Sequence, residues 1–236
     1  TDHESFLGKR TPPGEWAYLQ DLARRFCVPG RLATLVAYEW TGKAIPGPGH
    51  KVVVFPDVGS PLASREDPSS ATGSGLLASI SASGGMAFPH HVGWTGADER
   101  SHREDVQPCM EVVSCHGAYE RRDDAVIGRR DPANGPFLRE LLGGGMRFGF
   151  LGGSDGHGLL WHHGVSRRRD SHRTGLTGFV ARDLTREAVV EAIRSRRTFA
   201  TSGPPMWVRL WADGPPMGSI VRVADPSRVR GELEVD

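Results

Sequence analysis

Four apolar runs in this chain end in side chains that bind metal ions or move protons. Residues 32–38 lead to Glu39, residues 86–88 to His90-His91, residues 110–114 to His116, and residues 146–151 to Asp155 and His157. Asp2-His3, at the start of the chain, makes a fifth case if a strand precedes it. Asp155 and His157 are two residues apart, so extended backbone turns both to the same side, where one ion can be shared. Gly152, Gly153, Gly156 and Gly158 surround them and let the backbone turn sharply and approach a ligand. An isolated D-x-H is equally a glycine-rich turn with a surface histidine. The recurrence of such residues at successive strand ends is what points to a shared centre. Imidazole nitrogens and carboxylate oxygens without thiolates suit zinc, manganese or iron, and a bridging carboxylate suits more than one ion. Such ions activate water and stabilise attacking and leaving oxygens, chemistry that hydrolyses a phosphate ester, an amide or a lactone.

The candidates are not equivalent. Glu39 ends an apolar strand and needs a partner for its charge. His90 is preferred to His91, which reads equally as a solvated neighbour. His116 reads as a ligand or as a hydrogen-bond donor to substrate. His50 precedes its strand rather than following it, and pattern alone counts against it as a ligand. His102, His162, His163 and His172 sit in polar loops and read as surface.

The positioning elements follow from periodicity. Trp16, Leu19, Leu22, Ala23 and Phe26 keep helical spacing after Pro12-Pro13-Gly14. The nearly continuous apolar run at 32–38 suits a parallel strand covered on both faces. Further strands are expected at 51–55, 86–88, 110–114, 146–151 and 176–181, and helices at 76–83, 137–142 and 185–197. Residues 56–74, rich in Ser, Pro, Asp and Gly, read as a mobile loop. From Met206 onward the period falls to two, which predicts a separate antiparallel β unit. Alternating strands and helices predict a parallel α/β sheet or barrel, whose active site gathers at the strand C-termini.

With 236 residues and a net charge of +1, the chain can bury a real core and carries no global bias toward nucleic acid or an anionic membrane. No apolar run approaches the roughly 20 residues of a membrane span. Three cysteines without C-x-x-C spacing support neither a disulfide framework nor a thiolate zinc site. Cys109 and Cys115 read as buried small hydrophobes. The chain starts without Met and stops in mid-pattern, so it reads as part of a longer protein, and localisation is left open.

These residues, in this order, resemble the PHP (polymerase and histidinol phosphatase) family through Thr1-Asp2-His3, Glu39, Pro89-His90 and the GSDGH at 153–157. A branch of that family catalogued as a domain of unknown function is more similar still, through VAYEWTG at 36–42, GHKVVVF at 49–55, PHHVG at 89–93, MEVVSCHGAYE at 110–120 and the long run at 175–203. The resemblance implies a distorted seven-stranded (β/α) barrel over residues 1–203, without its N-terminal strand, and the start of a β unit over 204–236. It also implies phosphoesterase activity on a small anionic substrate. His3, with Asp2, then becomes a ligand, Glu39 the bridging carboxylate, and Asp155 and His157 the closing pair; His90 and His50 fall at ligand positions. Asp155 and His116 are the expected catalytic groups. An amidohydrolase-like enzyme and a degenerate binding domain are the rival expectations.

Overall fold

The computed structural model describes residues 2–6, 9–44, 47–122, 135–156 and 175–236. The chain begins beside the strand that carries Glu39: the Glu39 N–H donates to the Asp2 carbonyl at 2.8 Å, and the Glu4 N–H to the Glu39 carbonyl at 2.9 Å, in parallel register. A short hairpin follows, β1 (Ser5–Phe6) with β2 (Lys9–Arg10). Helix α1 (Pro13–Arg25) then starts on a proline, with Glu15 in its first turn and Arg24 and Arg25 in its last, both favourable to the helix dipole.

Strands β3 (Val36–Trp40), β4 (Lys51–Phe55) and, beyond α2 (Gly73–Ser81), β5 (Met86–Pro89) form one antiparallel sheet in the order β3-β4-β5. The strand period of two divides its side chains between two faces. Val36, Tyr38, Trp40, Val53 and Phe55 pack beneath α1 and α2 with Trp16, Leu76, Leu77 and Ile80. Ala37, Val52, Val54, Met86 and Phe88 face the other way.

The short α3 (Val92–Thr95) leaves the end of β5, and β6 (Cys109–Ser114) follows. Strand β6 pairs antiparallel with β7 (Gly117–Ala118) and parallel with β8 (Gly149–Gly152), which comes after α4 (Leu138–Gly143). Met110, Phe148 and Phe150 on one side of this sheet pack with Val92, Leu138 and Leu141. Cys109 and Leu151 on the other side join the inner residues of β4 and β5, together with Phe179. Strand β9 (Leu176–Phe179) pairs antiparallel with β10 (Thr198–Thr201). Helix α5 (Arg186–Arg194) lies between them in sequence, is capped by Thr185, and adds Val189, Val190 and Ile193 to the inner cluster. Gly178 lies against the Phe199 ring, where any side chain would collide. The chain finishes in an antiparallel pair, β11 (Val208–Ala212) with β12 (Gly231–Val235).

The fold is therefore mixed α/β. The expected parallel seven-stranded barrel is not what the described strands form: they make separate small sheets that do not close, and only β6–β8 is a parallel strand ladder. An apolar run such as 51–55 suits either direction, and the short connection from Trp40 to Lys51 returns the chain antiparallel. Residues 56–72 form the expected loop. Polar tips of buried aromatics pin them: Trp16 Nε1 donates to the Ser60 carbonyl at 2.9 Å, Tyr38 Oη to Ala63 at 3.1 Å, and Trp40 Nε1 to Ser70 at 3.1 Å. Among the described residues no helix is long and apolar enough to cross a membrane.

Candidate metal centre

The face of the sheets that carries the inner apolar cluster ends in polar residues. Glu39 follows Ala37 at the period of β3, His90 follows Met86 and Phe88 along β5, and His50 precedes Val52 at the start of β4. Because β4 runs antiparallel to β3, with Trp40 opposite Lys51, the beginning of β4 lies at the end of β3. That direction brings His50 to Glu39, although His50 comes before its strand in sequence.

Glu39 Oε1 is the hub. It lies 2.7 Å from His50 Nδ1, 3.2 Å from His90 Nε2, 3.5 Å from His3 Nδ1 and 3.9 Å from His91 Nε2. His3 Nδ1 is also 2.7 Å from Thr41 Oγ1. Donor atoms of Glu39, His50, His90 and His91 all lie within 4.8 Å of one another. On the far side of the paired histidines is Asp155. Its Oδ2 is 3.0 Å from His116 Nε2 and 3.5 Å from His91 Nε2, and its Oδ1 is 4.0 Å from His90 Nδ1. The two ring nitrogens of His90 thus face the two carboxylates, one each. The Trp94 ring walls the group, 4.8 Å from His91 and 5.0 Å from His116 between centroids.

Two of these residues hold strained backbone. His91 has φ 34° and Asp155 φ 48°, left-handed conformations that cost a non-glycine residue about 1–2 kcal/mol. Such strain persists where the surrounding fold over-determines it, and it clusters at functional sites. Turned back by this conformation, His91 joins His90 in the cluster instead of facing solvent.

The site is electrostatically tense. Burial works to raise the Glu39 carboxyl, but hydrogen bonds from His50 and His90 outweigh it and hold the group below the usual carboxylate range. Burial works to lower His90, and the hydrogen bond to Glu39 with the charge of Asp155 overcomes it, leaving the ring at about 9. His116 is likewise opposed by burial and raised to about 9 by its bond to Asp155. His91 goes the other way, lowered by burial and by the neighbouring His90. Burial pushes Glu111, on β6, up to about 7.

The donor set fits a divalent cation. Its atoms are imidazole nitrogens and carboxylate oxygens, and His90 is fully buried with its ring nitrogens turned toward two carboxylates, 3.2 Å from Glu39 and 4.0 Å from Asp155.

The structure thus brings together His3, Glu39, His50, His90, His116 and Asp155. Asp2 is exposed, and its backbone carbonyl accepts from the Glu39 N–H. His157 and the arginines at 167–169 lie outside the described residues, as do His162, His163 and His172. His102, read as surface, is half-buried, with both ring nitrogens enclosed. Cys109 is buried, whereas Cys115 is half-buried with its Sγ against the Asp155 carbonyl. Pattern reading undervalued His91 and missed Glu111. The available signal for Glu111 was a carboxylate amid Met110, Val112 and Val113, in a run with no polar face to receive it. A mainly apolar cleft of about 910 Å³ lies between α4, β8, β10 and the β11–β12 pair, and none of these donors lines it.

Comparison with known proteins agrees with this architecture. The model of a family described as Protein of unknown function (DUF3604) matches residues 3–83 and 161–217. An uncharacterized protein of Chlamydia pneumoniae is 36% identical over 132 residues, covering 52% of this chain and 21% of that protein. An uncharacterized protein of Chlamydia trachomatis is 29% identical over 128 residues, covering 51% and 20%. The chain spans about a fifth of the length of the curated relatives it matches. Among solved structures, a two-domain protein of Bacteroides vulgatus containing a predicted PHP-like metal-dependent phosphoesterase superposes with a TM-score of 0.53 at 16% identity, covering 85% of this chain and 54% of that one. At that identity the likeness is one of fold.

Proposed function

The chain belongs to the family described as Protein of unknown function (DUF3604), and from that premise we propose that it is part of a metal-dependent hydrolase acting on phosphate esters. The observation that carries this reading is the buried convergence of Glu39, His50, His90 and His91 within 4.8 Å. The phosphoesterase likeness of the structural neighbour supports the choice of bond. Two or three ions of manganese, zinc or iron fit the donor chemistry. In the whole protein the fold is proposed to complete a distorted seven-stranded barrel over residues 1–203, with 204–236 starting a β unit.

Glu39, His3, His50, His90 and His91 would hold one cation group, and Asp155, His90 and His91 its neighbour, with His157 as a further proposed ligand. A cation held there makes water acidic enough to attack at neutral pH and offsets charge building on phosphoryl oxygens. The remaining work falls to the chain. Apolar Met86, Phe88 and Leu151 beneath the donors exclude water and strengthen each electrostatic contact. Asp155 orients His116 through the 3.0 Å contact. His116, half-buried and open on one side, is assigned to proton delivery at the leaving oxygen of a small anionic substrate.

The test is a panel of phosphate esters, lactones and amides offered to the chelated and the manganese-loaded protein. Metal-dependent turnover of the esters, abolished by Asp155→Ala, is expected. Preference for lactones or amides would move the reading to an amidohydrolase-like enzyme. Absence of stoichiometric metal would make the domain a binding scaffold.

A further inference from the structure

Glu111 has no assigned role, and its surroundings demand one. It lies mid-strand in β6 between Met110 and Val112 and is 6% exposed. Its Oε1 is buried without a hydrogen-bond partner. A carboxylate taken this far out of water is strongly unfavourable unless something compensates it. The strand period puts it on the same face as Cys109, toward the inner cluster, where its neighbours are His90, Asp155 and the backbone N–H of His91. Across the sheet the fold makes room for it: a methyl group on Gly153 would stand 2.6 Å from Glu111 Oε2. Gly153 lies two residues before Asp155, so the glycine that turns the chain into the site also seats this carboxylate.

We infer that Glu111 is a cation ligand of the centre, supplying a carboxylate oxygen on the Asp155 side of His90. The inference rests on the metal reading proposed above. Three carboxylates, Glu39, Asp155 and Glu111, then surround the paired histidines, and a cation is the species that offsets them. The His91 N–H and the Ser114 side chain hydrogen-bond to the carboxylate, and its Oε1 is left buried without a partner.

The experiment uses the full chain, stripped with chelator and dialysed against a series of free Mn²⁺ concentrations, with bound manganese counted by elemental analysis. Glu111→Gln keeps the shape and removes the charge. It is expected to need about tenfold to a hundredfold more free Mn²⁺ than wild type for the same occupancy, the size of loss seen when groups around a metal are altered. Its metal-free melting temperature should equal or exceed that of wild type, because a buried charge has gone. Gly153→Ala, which displaces the carboxylate without changing it, should weaken binding in the same direction. If both variants bind Mn²⁺ as wild type does, the inference is overturned while the metal reading stands. A metal-free Glu111→Gln that melts well below wild type with unchanged binding assigns the residue to the scaffold and overturns it equally. If wild type binds no manganese, both fall together.

Discussion

Replacing Glu39 by glutamine is the most searching perturbation of this centre, because one oxygen of that carboxylate lies within 4 Å of nitrogens from His3, His50, His90 and His91. Glutamine preserves volume and can still accept a hydrogen bond from His50, but it brings no charge. Without metal, the histidine rings can release protons once the carboxylate is gone. The cost is then that of hydrogen bonds to a charged group, about 1.5–3 kcal/mol. With metal a second difference is added, because the two proteins gain unequally from the ion. At a free Mn²⁺ concentration about a hundred times the wild-type Kd, binding stabilises the fold by about 2.7 kcal/mol. For a chain of this size that raises Tm by about 5–11 °C. A variant whose affinity is weaker by about a hundredfold sits near its own Kd, gains about 0.4 kcal/mol and shifts by about 1–2 °C. Calorimetry of the chelated proteins, with and without Mn²⁺ at that one concentration, reads both numbers. A Glu39→Gln protein that shifts as far as wild type would refute the assignment of Glu39 as the hub.

The remaining predictions concern packing and thiols. Gly178→Ala should cost about 1–3 kcal/mol in a urea titration, because the added methyl meets the Phe199 ring head-on in the β9–β10 pair; an unchanged midpoint would mean the ring moves freely. Among the thiols, Cys27 is half-exposed and its thiol is lowered by the Thr34 backbone N–H, whereas burial pushes Cys109 up to about 11. Alkylation at pH 8 followed by peptide mass spectrometry should therefore label Cys27 in the native protein and Cys109 only after unfolding. Equal labelling rates would contradict the packing around Cys109.

Much of the centre was legible in the chain because apolar strands that terminate in Glu39, His90 and Asp155 announce their ends. What stayed hidden depends on direction and local backbone twist, which residue types do not record. His50 looked misplaced until the antiparallel pairing of β3 with β4 put a strand's beginning beside another's end. His91 sits one residue past a candidate, and only its left-handed backbone turns it inward. Glu111 lies inside a strand rather than at its end, so reading strand ends could not reach it. The described strands form separate small sheets where the same apolar runs suggested a parallel barrel, since hydrophobic continuity fixes burial and leaves strand polarity open. The anchoring of the loop at 56–72 was hidden for a related reason: its own residues are polar, and the aromatics that fasten it, Trp16, Tyr38 and Trp40, lie elsewhere in the chain.

The pairing of Asp155 with His90 and His91 has a consequence for how the protein is made. The residues around Glu39 are drawn from positions 3 to 91, whereas Asp155 arrives on a strand that must first find β6. During synthesis, at about 5–20 residues per second, the earlier histidines leave the ribosome several seconds before their last carboxylate partner. Contacts so distant in sequence form late in folding. The centre is thus born as a half-site and is closed by a long-range docking event that sets the two strained residues against each other. If the centre holds an ion as proposed, metal capture and final folding would be steps of one process, ordered by the spacing of the donors.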